Sequence, residues 1–338
     1  MDRNRELSSL LNDLLLRIVK MPHDKRSSFY KILENIEKLA LISPDSEDLK
    51  LTNNSLKELR KSIKVFEPYR DVRKVCLFGS ARTNKEVQEY QMAKEFANLI
   101  TRQGFMLITG AGSGIMEAGN CGAELNTSFG LNISLPYEQK PNLFIPENRL
   151  IEYKYFFVRK IVFVKESDAT VLFPGGFGTF DEGYENFVLL QTGKCSPRPI
   201  IMLEHPDNNY WQKWLDFTKE QMLANGFIDK DDLSLFKIKK DVQEAVNEIT
   251  NFYKVYHSLK YEKNFTCIRL NHALSETVIR ELNLKYKDIL KQGKIVQYVG
   301  NDKMPCEEYP DKPRLCFDFN RFNYNKLIGM IDFINQSA

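Results

Sequence analysis

The chain has 338 residues, enough at about 100 to 200 residues per domain for two or more units with a sizeable core, which excludes a small stapled scaffold. Lys and Arg number 48 against 45 Asp and Glu, and a net charge of +3 supplies no broad field for nucleic acid or anionic lipid, so an anionic ligand must be held locally. Six cysteines (Cys76, Cys121, Cys195, Cys267, Cys306, Cys316) lie scattered without a C-x-x-C pair, the N-terminus is charged where a secretory signal is apolar, and no uncharged stretch approaches the roughly 20 residues of a membrane span. A cytoplasmic protein with free thiols, without nucleic-acid or membrane partners, is the expectation.

Residues 1–72 carry apolar side chains at helical spacing, among them Leu7, Leu11, Leu14 and Ile18, then Phe29, Ile32 and Ile36, then Leu56, Leu59 and Ile63. They predict a helical segment whose apolar stripe packs on the next domain or on another subunit. From Lys74 short apolar runs end in glycine-rich turns and alternate with helical patterns. Strands are expected at Val75–Phe78, Phe105–Thr109, Gly130–Leu135, Ala169–Phe173 and Pro199–Leu203. Helices are expected around 86–103, 114–125, 152–166, 179–192, 209–224 and 239–256. Five such units over 73–255 predict an α/β, Rossmann-like doubly wound parallel sheet, whose ligands collect at the carboxyl ends of the strands. Residues 256–338 predict a small α+β appendage: a strand at Phe265–Leu270, a helix from Glu276 to Leu290 stopped by Gly293, strands at Ile295–Val299 and Leu315–Asn320, and a last helix burying Leu327, Ile328 and Ile331. No chemical motif stands out there.

The strongest turn is Pro174-Gly175-Gly176-Phe177-Gly178-Thr179-Phe180-Asp181-Glu182, between a buried strand and an amphipathic helix. Its glycines remove Cβ atoms where a ligand meets the main chain, and a helix N-terminus behind them favours phosphate. The bland reading makes it a tight turn in which Thr179 and Glu182 form a capping box. A second turn, Thr109 to Met116, holds Gly110, Gly112 and Gly114, but Ile115 stands where the third glycine of a dinucleotide fingerprint belongs, and Leu135-Pro136 ends the next strand without a ribose-binding acid. A third, Phe78-Gly79-Ser80-Ala81-Arg82, offers Ser80 and main-chain N–H groups to the same crevice. Arg159 and Lys160 interrupt the apolar run Tyr155 to Val164 and point about 100° apart on a helix. They read either as a snorkelling pair at a helix edge or as cations facing a cleft, where Arg suits fork-like bonding to phosphate or a base edge.

Together these residues resemble the LONELY GUY family of phosphoribohydrolases, long labelled lysine decarboxylases. The family's PGGxGTxxE pattern is met by Pro174, Gly175, Gly176, Gly178, Thr179 and Glu182, its Arg-Lys pair by Arg159 and Lys160, and its GGGxxGxM turn in part by Gly110, Gly112, Gly114 and Met116. The resemblance covers about 73–255. Two departures bear on substrate preference: the family's Met-His precedes its cations where this chain has Phe156-Phe157, and Ala111 interrupts the first glycines. The resemblance implies hydrolysis of the N-glycosidic bond of nucleoside 5′-monophosphates, AMP or cytokinin ribotides, to free base and ribose 5-phosphate. It implies a catalytic pair Arg159 and Glu182, and substrate binding by Lys160 and the main chain from Gly175 through Gly176, Phe177 and Gly178 to Thr179. It further implies a homodimer or higher homo-oligomer. Glycosidic cleavage builds oxocarbenium character at C1′, so a carboxylate stabilises charge or orients water. Glu182 is assigned that work, by gripping ribose hydroxyls or by activating water. No cofactor or metal is called for. The four histidines (His23, His205, His257, His272) are dispersed without ligand spacing, and no motif marks a Schiff-base lysine for pyridoxal phosphate. The alternative is a non-catalytic protein of the same fold that binds a nucleotide or phosphorylated cofactor.

Overall fold

The computed structural model describes residues 2–124, 126–135, 140–300 and 308–337; the last residue of the helix expected at 114–125, and Pro136 and Cys306, lie outside them. The chain divides into two compact units, up to Lys57 and from Glu58 onward. The first holds α1 (Asp2–Val19), α2 (His23–Leu41) and the start of α3 (Ser46–Phe66). α1 and α2 meet at a turn where the Arg26 guanidinium donates to Met21 O. No residue of α2 is buried.

In the second unit seven strands form one parallel sheet: β1 (Lys74–Phe78), β2 (Met106–Thr109), β3 (Ser128–Ile133), β4 (Leu150–Tyr153), β5 (Ala169–Leu172), β6 (Ile200–Leu203) and β7 (Lys237–Lys239), in the order β4-β3-β2-β1-β5-β6-β7. This is the α/β Rossmann-like sheet expected from the alternation, with two more strands than the five foreseen. β4 and β7 are edge strands of four and three residues. The pattern places a helix from 152, but there Leu150 and Glu152 face outward and Ile151 and Tyr153 inward, so the chain stays extended until α6 (Phe156–Glu166).

β1 is buried on both faces, as a central parallel strand must be. Its alternation divides the core. Val75 and Leu77 face Phe96 and Ile100 of α4 (Gln88–Arg102), Ile115 of α5 (Ile115–Gly122) and Val246 and Ile249 of α9 (Val242–Phe252), whereas Cys76 and Phe78 face Phe163 of α6, Leu190 of α7 (Phe177–Gln191) and Trp211 of α8 (Tyr210–Phe217). One wider helical turn extends α8 to Leu223.

Four antiparallel strands follow, β8 (Tyr256–Tyr261), β9 (Thr266–Leu270), β10 (Leu290–Tyr298) and β11 (Arg314–Phe319), in the order β10-β11-β9-β8, packed with α10 (Glu276–Lys285) and α11 (Tyr324–Gln336). Two expectations are corrected here. α9 ends at Phe252, so Tyr256 opens a strand. α10 ends at Lys285, and Gly293 (φ +75°) lies inside β10 where the pairing register shifts, making it a bulge glycine in place of a helix stop. Buried Asn335 of α11 ties this sheet to α9: its Oδ1 accepts from the N–H groups of Val255 and Tyr256, and its amide donates to Phe252 O. Asn335→Leu strands three main-chain groups and is expected to cost about 3 kcal/mol, read from urea unfolding; an unchanged midpoint would mean water replaces them. Among the described residues no helix is long and apolar enough to cross a membrane.

Candidate functional site

The chain winds outward from β1 through β2, β3 and β4, then crosses back to lay β5 against β1. That reversal leaves a crevice beyond the carboxyl ends of β1 and β5, the usual ligand position in such sheets. All three glycine turns end there, and they interlock. Ser80 N–H donates to Pro174 O (3.1 Å), Ile115 N–H to Ser80 O (3.1 Å) and Phe173 N–H to Phe78 O (2.8 Å). Gly114 adopts φ +63°, and a Cβ there would sit 2.3 Å from Ser80 O. A Cβ on Gly175 would lie 2.1 Å from Thr179 Oγ1 and 2.9 Å from Ser80 N; one on Gly79 would strike Ile115, and one on Gly110 would strike Met116 Sδ. These glycines let three backbones stack. Gly176 and Gly178 differ, because a Cβ on either meets nothing within 4 Å.

The crevice is a cavity of about 600 Å³, bounded by Gly79, Ser80, Gly110, Met116, Arg159, Gly176, Phe177, Gly178, Thr179 and Glu182 among the residues singled out from sequence. Lys160, Gly112, Gly114 and Gly175 stand behind that lining. Gly112 O accepts from the Asn142 amide, which also bonds Ala111 O and Asn120 Oδ1, bracing the second turn. Gly175 O accepts from the Tyr210 hydroxyl at 2.5 Å, bracing the third.

α7 begins at Phe177 with Gly176 as its cap, two residues earlier than the pattern suggests. Thr179 therefore lies inside the first turn, and no side chain caps the helix; the capping-box reading fails on this geometry. The N–H groups of Phe177 and Gly178, in the first turn, have no acceptor within the helix, and both residues line the cavity.

Glu182, one turn further, is buried at 4% exposure. Its Oε1 lies 4.0 Å from Arg159 Nη2 and its Oε2 3.5 Å from Lys160 Nζ, and Oε2 accepts no hydrogen bond. Lys160 also pairs with Asp181 and Glu185, each at 2.9 Å. Burial pushes the Glu182 carboxyl up to about 6, with Lys160 and Arg159 opposing. Burial lowers the Arg159 guanidinium from its ordinary value, offset in part by Glu182. Burial also works against charge on Lys160, but its carboxylate partners outweigh it and the net displacement is upward. Of the two readings of the cation pair, neither side chain is a solvated edge group: both are mostly covered and both reach Glu182.

Seven lining residues were not singled out as site residues: Phe78, Ala81, Arg82, Ile133, Leu135, Phe156 and Phe163. Arg159 lies over the rings of Phe156 (5.1 Å) and Phe163 (5.6 Å), so these build an apolar wall around a cation. Ile133 ends β3 and Leu135 lies two residues beyond it, and that position at a strand's carboxyl end is the available signal. Arg82 is the cation of the first turn and stands exposed at the rim.

Fold and crevice define a Rossmann-like α/β protein whose glycine turns converge on a buried Arg-Glu pair. Residues 108–249 match the profile of the family described as "Possible lysine decarboxylase". Among solved structures, the chain is similar to the molybdenum cofactor binding protein of the phototrophic bacterium Rippkaea orientalis (19% identity, 53% of this chain and 94% of that chain, TM-score 0.38). It is also similar to the Moco carrier protein of Chlamydomonas reinhardtii (20%, 53% and 96%, 0.37) and to DNA processing protein A of Helicobacter pylori (16%, 53% and 80%, 0.36). No curated protein matches.

Proposed function

We propose that the protein hydrolyses the N-glycosidic bond of nucleoside 5′-monophosphates, AMP or a cytokinin ribotide, giving free base and ribose 5-phosphate. The observation that carries this reading is the buried juxtaposition of Arg159 and Glu182 beside an uncapped, glycine-lined helix N-terminus. The phosphate sits on the N–H groups of Phe177 and Gly178, with Arg82 at the rim. The base lies against Phe156, Phe163 and Ile133. Glu182, ionised, faces C1′ and stabilises the oxocarbenium character or orients the attacking water. Water adds its oxygen to C1′, the C1′–N bond breaks, and the base departs with a proton; Arg159 holds the departing base. The phosphate anchor fixes the sugar during attack.

Phe157 and Ile161 of α6 and Val188 of α7 are exposed apolar side chains on the two helices that carry the pair. They support a homo-oligomer with α6 and α7 at the contact, checked by light scattering on the full chain.

Incubation with AMP, other nucleotides and a cytokinin ribotide, followed by chromatography of the base, tests the hydrolase reading. Release abolished by Glu182→Ala is expected. Tight nucleotide binding with no base released would instead make this a nucleotide- or cofactor-binding protein of the same fold.

A further inference from the structure

A second cavity, about 960 Å³, lies at the opposite end of the sheet, before the amino ends of β1, β5 and β6. Its floor is built from the loops at Arg70–Arg73, Lys165–Asp168 and Lys194–Arg198, and its far wall from Tyr253, Tyr256, His257 and Tyr309. It shares no lining residue with the glycine-turn crevice. Its size falls in the range of small-molecule sites.

The lining holds five basic side chains, Arg70, Arg73, Lys165, Lys194 and Arg198, against three acidic ones, Asp71, Asp168 and Glu185. Two of the acids are already engaged. Asp168 takes Arg73 at 3.1 Å and the Lys74 N–H, and Glu185 takes Lys160. Arg198 is buried, spends its terminal nitrogens on Val164 O, Ser167 and Asn186, and keeps an Nε without a partner. At the mouth, Arg70 and Lys194 are exposed and form no ion pair among the described residues. The His257 imidazole is pushed down to about 4, chiefly by burial, with the cations Lys312, Arg73 and Arg269 adding to it. Lys165 is taken by Glu166 and Arg73 by Asp168, which leaves Arg70 and Lys194 as the cations to be answered; basic groups outnumber acidic ones around this concave space, and the chemistry that answers the remainder is a multivalent oxyanion.

We infer that this amino-end cavity is a binding site for a phosphorylated small molecule of nucleotide size, separate from the glycine-turn site. It is also wired to that site. Glu185 lines the cavity, lies one turn beyond Glu182 on α7, and shares Lys160 with it at 2.9 and 3.5 Å. An anion beside Glu185 acts on the carboxylate that holds Lys160, and so on the charge around Glu182. The binding claim stands without the hydrolase reading.

The test is calorimetric titration of the full-length protein with inorganic pyrophosphate and with ATP. Arg70→Glu/Lys194→Glu, whose changes are on exposed side chains, is expected to weaken binding about tenfold or more at unchanged melting temperature. Gly178→Asp, which places a carboxylate in the other crevice, is expected to leave pyrophosphate binding within about twofold of wild type. Equal affinity in the charge-reversed protein, loss of all binding in Gly178→Asp, or no heat from either probe with the wild type overturns the inference. For the wiring, saturating pyrophosphate is expected to shift the AMP affinity of the Glu182→Gln protein by about fivefold or more; an unmoved affinity refutes it.

Discussion

Glu182→Gln is expected to stabilise the protein while removing its activity. The carboxyl titrates near 6 in the fold against an ordinary 4.5, burial being the main cause. A folded-state value raised above the unfolded one means that ionisation opposes folding. The favourable contribution is complete below about pH 4.5 and is lost as pH rises through about 6. At pH 7 the wild type carries a penalty of up to about 2 kcal/mol that Gln does not. The melting temperature of the variant should therefore exceed that of the wild type above pH 6, and the gap should close as pH falls to 4.5. Base release should drop by about 10³-fold, the scale of a lost charge-stabilising or proton-handling group. In the wild type, kcat/KM should fall on the acid side with an apparent pKa near 6, because the ionised form does the work. A variant that is less stable at pH 7, or a wild-type profile flat down to pH 5, would show that Glu182 is a structural partner of Lys160 and nothing more.

Gly114→Ala and Gly178→Ala are expected to fail in different ways, although both remove a glycine from a motif. At Gly114 the new methyl would stand 2.3 Å from Ser80 O, a main-chain atom that cannot swing away, and the residue holds φ +63°. Left-handed backbone costs about 1–2 kcal/mol and forced repacking about as much again, so a loss of about 3 kcal/mol or more is expected in denaturant unfolding. The three turns would also part, because Ser80 O is the acceptor for Ile115 N–H. At Gly178 a methyl meets nothing within 4 Å and lies in the first turn of α7, so stability should be kept or gain about 0.5 kcal/mol from helix propensity. The methyl projects where phosphate approaches, and KM should rise about tenfold with kcat less affected. Matching stability losses in the two variants would sink the distinction between stacking and ligand-facing glycines.

Glycine turns are legible because their demands are local: a missing Cβ and a preceding buried run sufficed to place Gly176, Gly178 and Glu182 at the end of a strand. The same sequence hid what depends on distant partners. Edge strand β4 is four residues long and abuts an apolar helix, so its alternation is lost in the helical pattern. Nothing breaks the chain between α9 and β8, and only the Asn335 side chain, far along the sequence, marks that boundary. Gly293 carries the same signal whether it stops a helix or bulges a strand. At the site, Thr179 and Glu182 have capping-box spacing, and only the two-residue earlier start of α7 separates that reading from a free carboxylate. The aromatic wall of Phe156 and Phe163 was visible as helix and invisible as lining, since which face meets the crevice is set by how α6 lies on the sheet.

The interlocked turns also govern when the site comes into being. They arise from three strands in which Val75 pairs with Leu107 on one side and with Ala169 on the other, contacts between segments far apart in the chain. Parallel pairing of that range closes late in folding. No partly folded chain lacking β5 can present the crevice, because Pro174 O and Gly175 belong to the turn that this strand leads into. Binding at the glycine turns is therefore coupled to the cooperative unfolding of the whole parallel sheet.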